Sequence, residues 1–194
     1  MKATLQIAAF SIALIAAMTA ASAYGRECKG INFPDQAQVE GHALVLNGLG
    51  LRQATIFRVN VYVAALYVAA KSSEPKDILG SSAPIALILQ FVRDVGARDI
   101  AKGWEEGFAK NAEAQLPALS ERIATLKSWM ADVKTGQRLT FVVAPGTGVQ
   151  VNVNEAAKGT IKGDDFAKAF LSIWLGPDPP NPELKTGLLG GSCG

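Results

Sequence analysis

Histidine is nearly absent from this chain, and cysteine is scarce. His42 is the sole histidine among 194 residues, and Cys28 and Cys193 are the only two cysteines. A Cys/His metal site needs three or four such ligands close together, so no metal is expected. A histidine acting as general base also needs an orienting partner, and His42 reads instead as a strand-surface residue. The usual catalytic signatures are missing as well. There is no GxSxG, no paired Cys and His, no HExxH and no GxxxxGK[ST]. Gly48-Leu49-Gly50 is too short for a dinucleotide fingerprint, and Asp164-Asp165 sits where a helix start favours acids anyway. No cofactor is implied.

Excess charge of either sign is also lacking. Nineteen Lys and Arg face seventeen Asp and Glu, and aromatics make up only 7% of the chain. Without a polybasic block, nucleic-acid binding by charge is disfavoured. What the chain does carry is an apolar N-terminus. Lys2 is followed by a run from Leu5 to Ala17 and then by Ala21-Ser22-Ala23. That is a charged start, an apolar stretch too short to span a bilayer and a small-x-small cleavage site. Residues 1–23 are therefore expected to be a signal peptide cleaved after Ala23, giving a secreted or periplasmic product with no stable membrane span. The remaining 171 residues, 24–194, suffice for one domain with a full core. In an oxidising compartment Cys28 and Cys193 could pair, worth at most about 5 kcal/mol for so long a loop. They could equally stay free, because both lie in Gly-rich ends.

The periodicity of the chain switches several times. VEGHALVLNG (39–48) alternates as a strand and is expected to end in a glycine turn. Arg52 to Phe57 and Val59 to Ala70 follow as one long strand or two. Pro75 starts a helical turn that Gly80 ends. APIALILQFV (83–92) is a dense apolar run suited to a central strand. Ile100, Trp104 and Phe108 then recur at spacing four, one stripe of an amphipathic helix. Pro117 restarts a second helix carrying Leu119, Ile123, Leu126 and Met130. Arg138–Ala144, Val149–Asn154 and about 159–161 read as three short strands. GDDFAKAFLSIWLG is helical, its stripe formed by Phe166, Phe170 and Ile173 or Trp174, and is stopped by Gly176-Pro177. The tail is Pro/Gly punctuated, with a helical turn at 182–186. Runs of strands, then helices, then strands and a helix imply an α+β fold with a mainly antiparallel sheet.

One stretch does not fit a plain buried strand. NGLGLRQATIFRVNVYVAALYVAA (47–70) opens on Arg52 and sets Tyr62 in an apolar run. Counting by two, Arg58, Asn60, Tyr62, Ala64 and Leu66 share one face, and Val59, Val61, Val63, Ala65 and Tyr67 the other. The second, uniformly apolar face is the one expected to receive the helices. The first grades from polar to apolar, as the lining of a ligand cavity does.

LNGLGLRQATIFRVNVYVAALYVAA, ILQFVRDVGARDIAKGWEEGF and IKGDDFAKAFLSIWLG together resemble the chalcone-isomerase-like family, in its bacterial secreted branch. The likeness runs from about Val39 to Gly190. It implies an antiparallel sheet with a layer of helices on one face, an open-faced β-sandwich. In the plant enzymes of the family, an arginine after the glycines polarises the substrate, and Arg52 matches it. The enzymes' strand threonine falls on Tyr62, their helical tyrosine near Ala97 or Arg98, and a polar position of the last helix near Ala167. The fatty-acid-binding branch pairs the same arginine with a tyrosine to hold a carboxylate, and Arg52 and Tyr62 fit that pair in type. Asn60, Arg93 and Trp104 are further candidates for the pocket lining, although Arg93-Asp94 reads more simply as a solvated strand end.

Three functions follow from this reading. The first is a non-catalytic binder of a fatty acid or similar apolar carboxylate. The second is an isomerase or intramolecular lyase of the chalcone isomerase type, with Arg52 as its catalytic group. The third is an interaction module without a pocket, its protein partners unnamed by the sequence.

Overall fold

The computed structural model of this protein describes residues 25–194; the signal peptide read at residues 1–23 lies outside them. A two-stranded hairpin comes first, β1 (Gly25–Cys28) and β2 (Ile31–Pro34). Seven strands then form one antiparallel sheet in chain order. They are β3 (Gln36–Val39), β4 (His42–Ala54), β5 (Val59–Val68), β6 (Ile85–Phe91), β7 (Arg138–Ala144), β8 (Gly148–Val153) and β9 (Ala156–Lys162). Five helices interrupt or follow: α1 (Pro75–Leu79), α2 (Ala97–Ala112), α3 (Leu116–Ser128), α4 (Asp164–Leu175) and α5 (Pro182–Leu188). A 3₁₀ turn at Glu113–Gln115 joins α2 to α3, with Pro117 at the start of α3. This is the α+β architecture with an antiparallel sheet that the strand and helix periods predict. Among the described residues no helix is long and apolar enough to cross a membrane.

The main core lies between the sheet and the helices. Helix α4 is its centre, because eight of its twelve residues are buried. Phe170 packs on Phe141 of β7 with ring centroids 4.8 Å apart, and Trp104 of α2 meets Phe141 and Trp174 edge-on at 5.7 Å each. Such pairs add about 0.5–1.5 kcal/mol beyond area burial. From β5 this core takes Ala64, Leu66 and Val68. Val63, Ala65 and Tyr67 point the other way, into a second cluster with Phe33, Leu44, Leu46, Leu49 and Leu51. The face assignment from counting by two is thus reversed. The helices cover the graded face, and the uniformly apolar one is covered by β1 and β2. Cys28 joins that second cluster and is disulfide-bonded to Cys193, their Cα atoms 6.0 Å apart.

The glycines of NGLGLR do not make a turn. They stand within β4, which runs unbroken for thirteen residues. The turn comes later, at residues 55–58, so the expected strand over Arg52–Phe57 stops at Ala54. Gly48 and Gly50 face α5, and a Cβ on either would lie within 2.6 Å of a backbone oxygen of Gly187, Leu188 or Leu184. Bare backbone here lets a helix lie directly on a strand. The tail helix is also longer than the single turn expected, because Leu184 and Leu188 are buried against this strand and its neighbours. The three four-residue strands β1, β2 and β3 carry too little alternation to be read from sequence.

Asn47, between those glycines and the apolar start of β4, is the buried polar residue of the core, 3% exposed. It sits where β4 bulges, between Leu46 and Gly48. Its amide donates to the carbonyls of Leu188 (2.7 Å) and Ser72 (3.0 Å) and accepts from the Ser72 N–H (2.9 Å). Three segments are thereby tied at one side chain. Asn47→Ala is expected to cost about 2–3 kcal/mol, because the buried Leu188 carbonyl loses this donor and the half-buried Ser72 backbone loses two bonds. Urea unfolding would show this as a lowered midpoint with unchanged slope; a loss below about 0.5 kcal/mol would contradict it.

Candidate functional site

Arg52 is the first helix-face residue of β4 after the two glycines that α5 covers. Its cross-strand partner on β5 is Tyr62. A second irregularity follows immediately, since Arg52 pairs with Tyr62 but Gln53 pairs with Asn60. Val61 is the extra residue, and this bulge turns both Val61 and Tyr62 toward the helix side. Strict alternation fails at the one place where the polar pair is built.

The segment joining α4 to α5, GPDPPN (176–181), wraps over the end of β4. The Asn181 amide donates to the Leu51 carbonyl (3.1 Å), and its oxygen accepts from the Gln53 N–H (3.2 Å). On α2, Asn111 exchanges hydrogen bonds with Asp178, donating to its carbonyl (2.9 Å) and accepting from its N–H (3.0 Å). Lys185 holds the Gly176 carbonyl at 2.8 Å. Within this clamp, Arg52 Nη1 donates to the carbonyls of Gln53 and of Pro180, the latter at 3.0 Å. The guanidinium is positioned by backbone oxygens alone. Among the described residues no carboxylate lies within 4 Å of it.

Tyr62 is held from the other side. Its hydroxyl oxygen accepts from Trp174 Nε1 at 3.0 Å, and its ring meets Phe91 edge-on at 5.6 Å. Because the oxygen serves as acceptor there, the phenolic proton has no protein partner among the described residues. Burial pushes the phenol up to about 12, against smaller opposing effects of the Trp174 hydrogen bond and the Arg52 charge. The group is therefore a proton donor at any ordinary pH.

Both residues open onto one cavity of about 570 Å³, partly open to solvent. Leu89 and Phe91 of β6, Ile100 and Trp104 of α2, and Ile173 and Trp174 of α4 line it with apolar surface. Trp104 also carries a buried Nε1–H with no acceptor, beside this wall. Toward solvent the lining becomes charged. There Glu106, Asp178 and Asp94 pair with Lys102 (3.7 Å), Lys110 (3.9 Å) and Lys134 (3.0 Å). Arg93 is at this rim, exposed and without an ion pair among the described residues. Of the three further candidates, Arg93 and Trp104 line the cavity, while Asn60 accepts from Gln53 Nε2 at 2.9 Å outside it. Ala167, which stands near the polar position of the enzymes' last helix, lines a different hollow of about 200 Å³ beside Ile78 and Lys168. His42 is exposed at the start of β4.

Sequence reasoning missed the clamp. Pro180 and Asn181 read only as part of a Pro/Gly-punctuated tail and Asn111 carries no reading, yet Pro180 holds Arg52 and the two asparagines fix the connector that carries it. The signal available was the density of Pro and Asn in GPDPPN directly before a helix, which marks an ordered connector.

In fold, the chain is similar to the crystal structure of a fatty-acid binding protein of Arabidopsis thaliana. The TM-score is 0.62 at 15% sequence identity, over 82% of this chain and 92% of that one. No curated protein sequence matches the chain. The sequence does match the chalcone isomerase-like family over residues 25–190, which takes in every strand and helix described above. By that match, the chain belongs to the chalcone isomerase-like family.

Proposed function

We propose that this protein is a non-catalytic binder of a fatty acid or a similar apolar carboxylate, held by Arg52 and Tyr62. The observation that carries the reading is the guanidinium without a carboxylate, set beside a phenol with an unused proton at the wall of an apolar cavity. A buried or half-buried cation normally has an anionic partner. Here the counter-ion is left for the ligand to supply. A carboxylate matches the planar fork of a guanidinium, and the phenol adds a third donor. The acyl tail would lie along Leu89, Phe91, Ile100 and Trp104, gaining roughly 0.8 kcal/mol per buried CH₂. A protein of the same fold is a fatty-acid binding protein, and the Arg/Tyr pair supports the same ligand class here. The signal peptide read in residues 1–23 would place this binder in the periplasm or outside the cell.

Arg52→Ala removes the charge-assisted bonds, worth about 1.5–3 kcal/mol. Its affinity for a fatty acid is expected to fall roughly 10- to 100-fold. Tyr62→Phe should lose about tenfold or less. Displacement of a fluorescent fatty acid measures both, with the alcohol of equal chain length as control. The alcohol should lose its dependence on Arg52. Equal affinity of wild type and Arg52→Ala for the acid would sink the proposal.

The phenol also makes a pH prediction. Burial raises both Tyr62 and Tyr67 to about 12 in the folded chain, whereas unfolded tyrosine ionises near 10. Between these values the unfolded state has released protons that the folded state keeps, so stability falls as pH rises from about 10 to 12. Denaturant titrations at pH 8 and pH 11 should show a smaller loss for Tyr62→Phe than for wild type. The same loss in both would mean that Tyr62 is not held in its neutral form.

A further inference from the structure

The turn that joins β4 to β5 carries the two most exposed large apolar side chains of the described residues. Ile56 is 91% exposed and Phe57 81%. They stand together at the apex of a hairpin, where a polar pair would be the ordinary choice. The apex adjoins the cavity, because Ala54 and Thr55, the residues directly before it, line the cavity wall.

The apex is a built feature. Thr55 and Arg58 both adopt left-handed backbone, φ 63° and 52°, a conformation a β-branched residue rarely takes. The Arg58 N–H closes the turn on the Thr55 carbonyl at 3.1 Å. Below it, Gln53 donates to the Arg58 carbonyl (3.2 Å) and to Asn60 (2.9 Å), while Arg58 Nε donates back to Gln53 (2.9 Å). Arg58 also reaches Glu183 on α5 at 3.3 Å. Polar side chains thus brace the stem, and only Ile56 and Phe57 are left to project.

We propose that this apex is an anchor for a lipid surface, seating the cavity mouth against the lipid. The size of the patch decides the occupant. Two side chains expose a few hundred Å² at most, well below the roughly 800 Å² per partner of a stable protein interface. Shallow insertion of a phenyl and a branched aliphatic group into the acyl boundary needs no more than this. Lipid is also the reservoir from which an apolar carboxylate would come, and in that respect the inference rests on the proposed function. Anchoring itself does not depend on it.

The test uses vesicles of phosphatidylethanolamine and phosphatidylglycerol with the mature chain. Wild type is expected to co-sediment with them. The double variant Ile56→Ser, Phe57→Ser should partition at least tenfold more weakly and take up fatty acid from vesicles more slowly, with its affinity for monomeric fatty acid unchanged. A Phe57→Trp variant should gain fluorescence quenching by brominated lipid beyond that of the wild-type tryptophans. If wild type does not partition, or the double variant partitions equally, the anchor is overturned. Self-association lost in the double variant, without vesicle binding, overturns it in favour of contact between copies. Vesicle binding that depends on the apex in a protein with no fatty-acid affinity would leave the anchor standing and remove the proposed ligand.

Discussion

The contact on which the site depends is backbone against backbone. Helix α5 lies on β4 at Gly48, Gly50 and Gly187, positions where a Cβ would meet carbonyl oxygens at 2.0–2.3 Å. Any side chain at Gly48 or Gly50 would lift α5 off the strand. Because α5 begins at Pro182, its position sets the path of residues 176–181, and these carry Pro180 and Asn181 over the end of β4. Arg52, the first helix-face residue past the glycines, is caught beneath that connector. The order of residues in NGLGLR is therefore the order of a device: close approach first, then a cation held by what the close approach brings in.

Electrostatics and packing divide the work around this device. Carbonyl oxygens orient the guanidinium without neutralising it, and Lys102, Lys110 and Lys134 occupy three of the carboxylates that line the cavity. Trp174 performs a related task for Tyr62. By donating to the phenol oxygen it leaves the phenolic proton to point elsewhere. The carbonyls engage Arg52 through Nη1 and leave Nη2 and Nε for an anion, as Trp174 leaves the Tyr62 proton. The aromatic packing of Trp104, Phe141, Phe170 and Trp174 gives these positions a stiff backing, since α4 and β7 meet through it.

Much of this was legible in the residues, because period and punctuation are local. The amphipathic stripes of α2, α3 and α4 and the dense run of β6 each report their own burial, and together they imply an antiparallel α+β fold. The pairing of Arg52 with Tyr62 as neighbours was reachable through the family likeness. Long-range contacts were not. Counting by two through β5 gave the wrong face to the helices, because the polar residues at its start belong to a hairpin stem and a cavity rather than to an outer surface. The bulge at Val61 then breaks the count itself. Glycines within β4 looked like a turn because the helix that requires them lies more than 130 residues further along the chain. Asn47 had no local mark, since its three partners come from Ser72 and Leu188.

Arg52 as the anion holder of an apolar cavity is the central claim, and a crystal structure with a bound long-chain fatty acid tests it most directly. The carboxylate oxygens should lie at about 3 Å from the Arg52 guanidinium and the Tyr62 hydroxyl. The tail should run from there between β6 and α2. A fatty acid seated with its tail toward Arg52, or bound outside this cavity, would contradict the account.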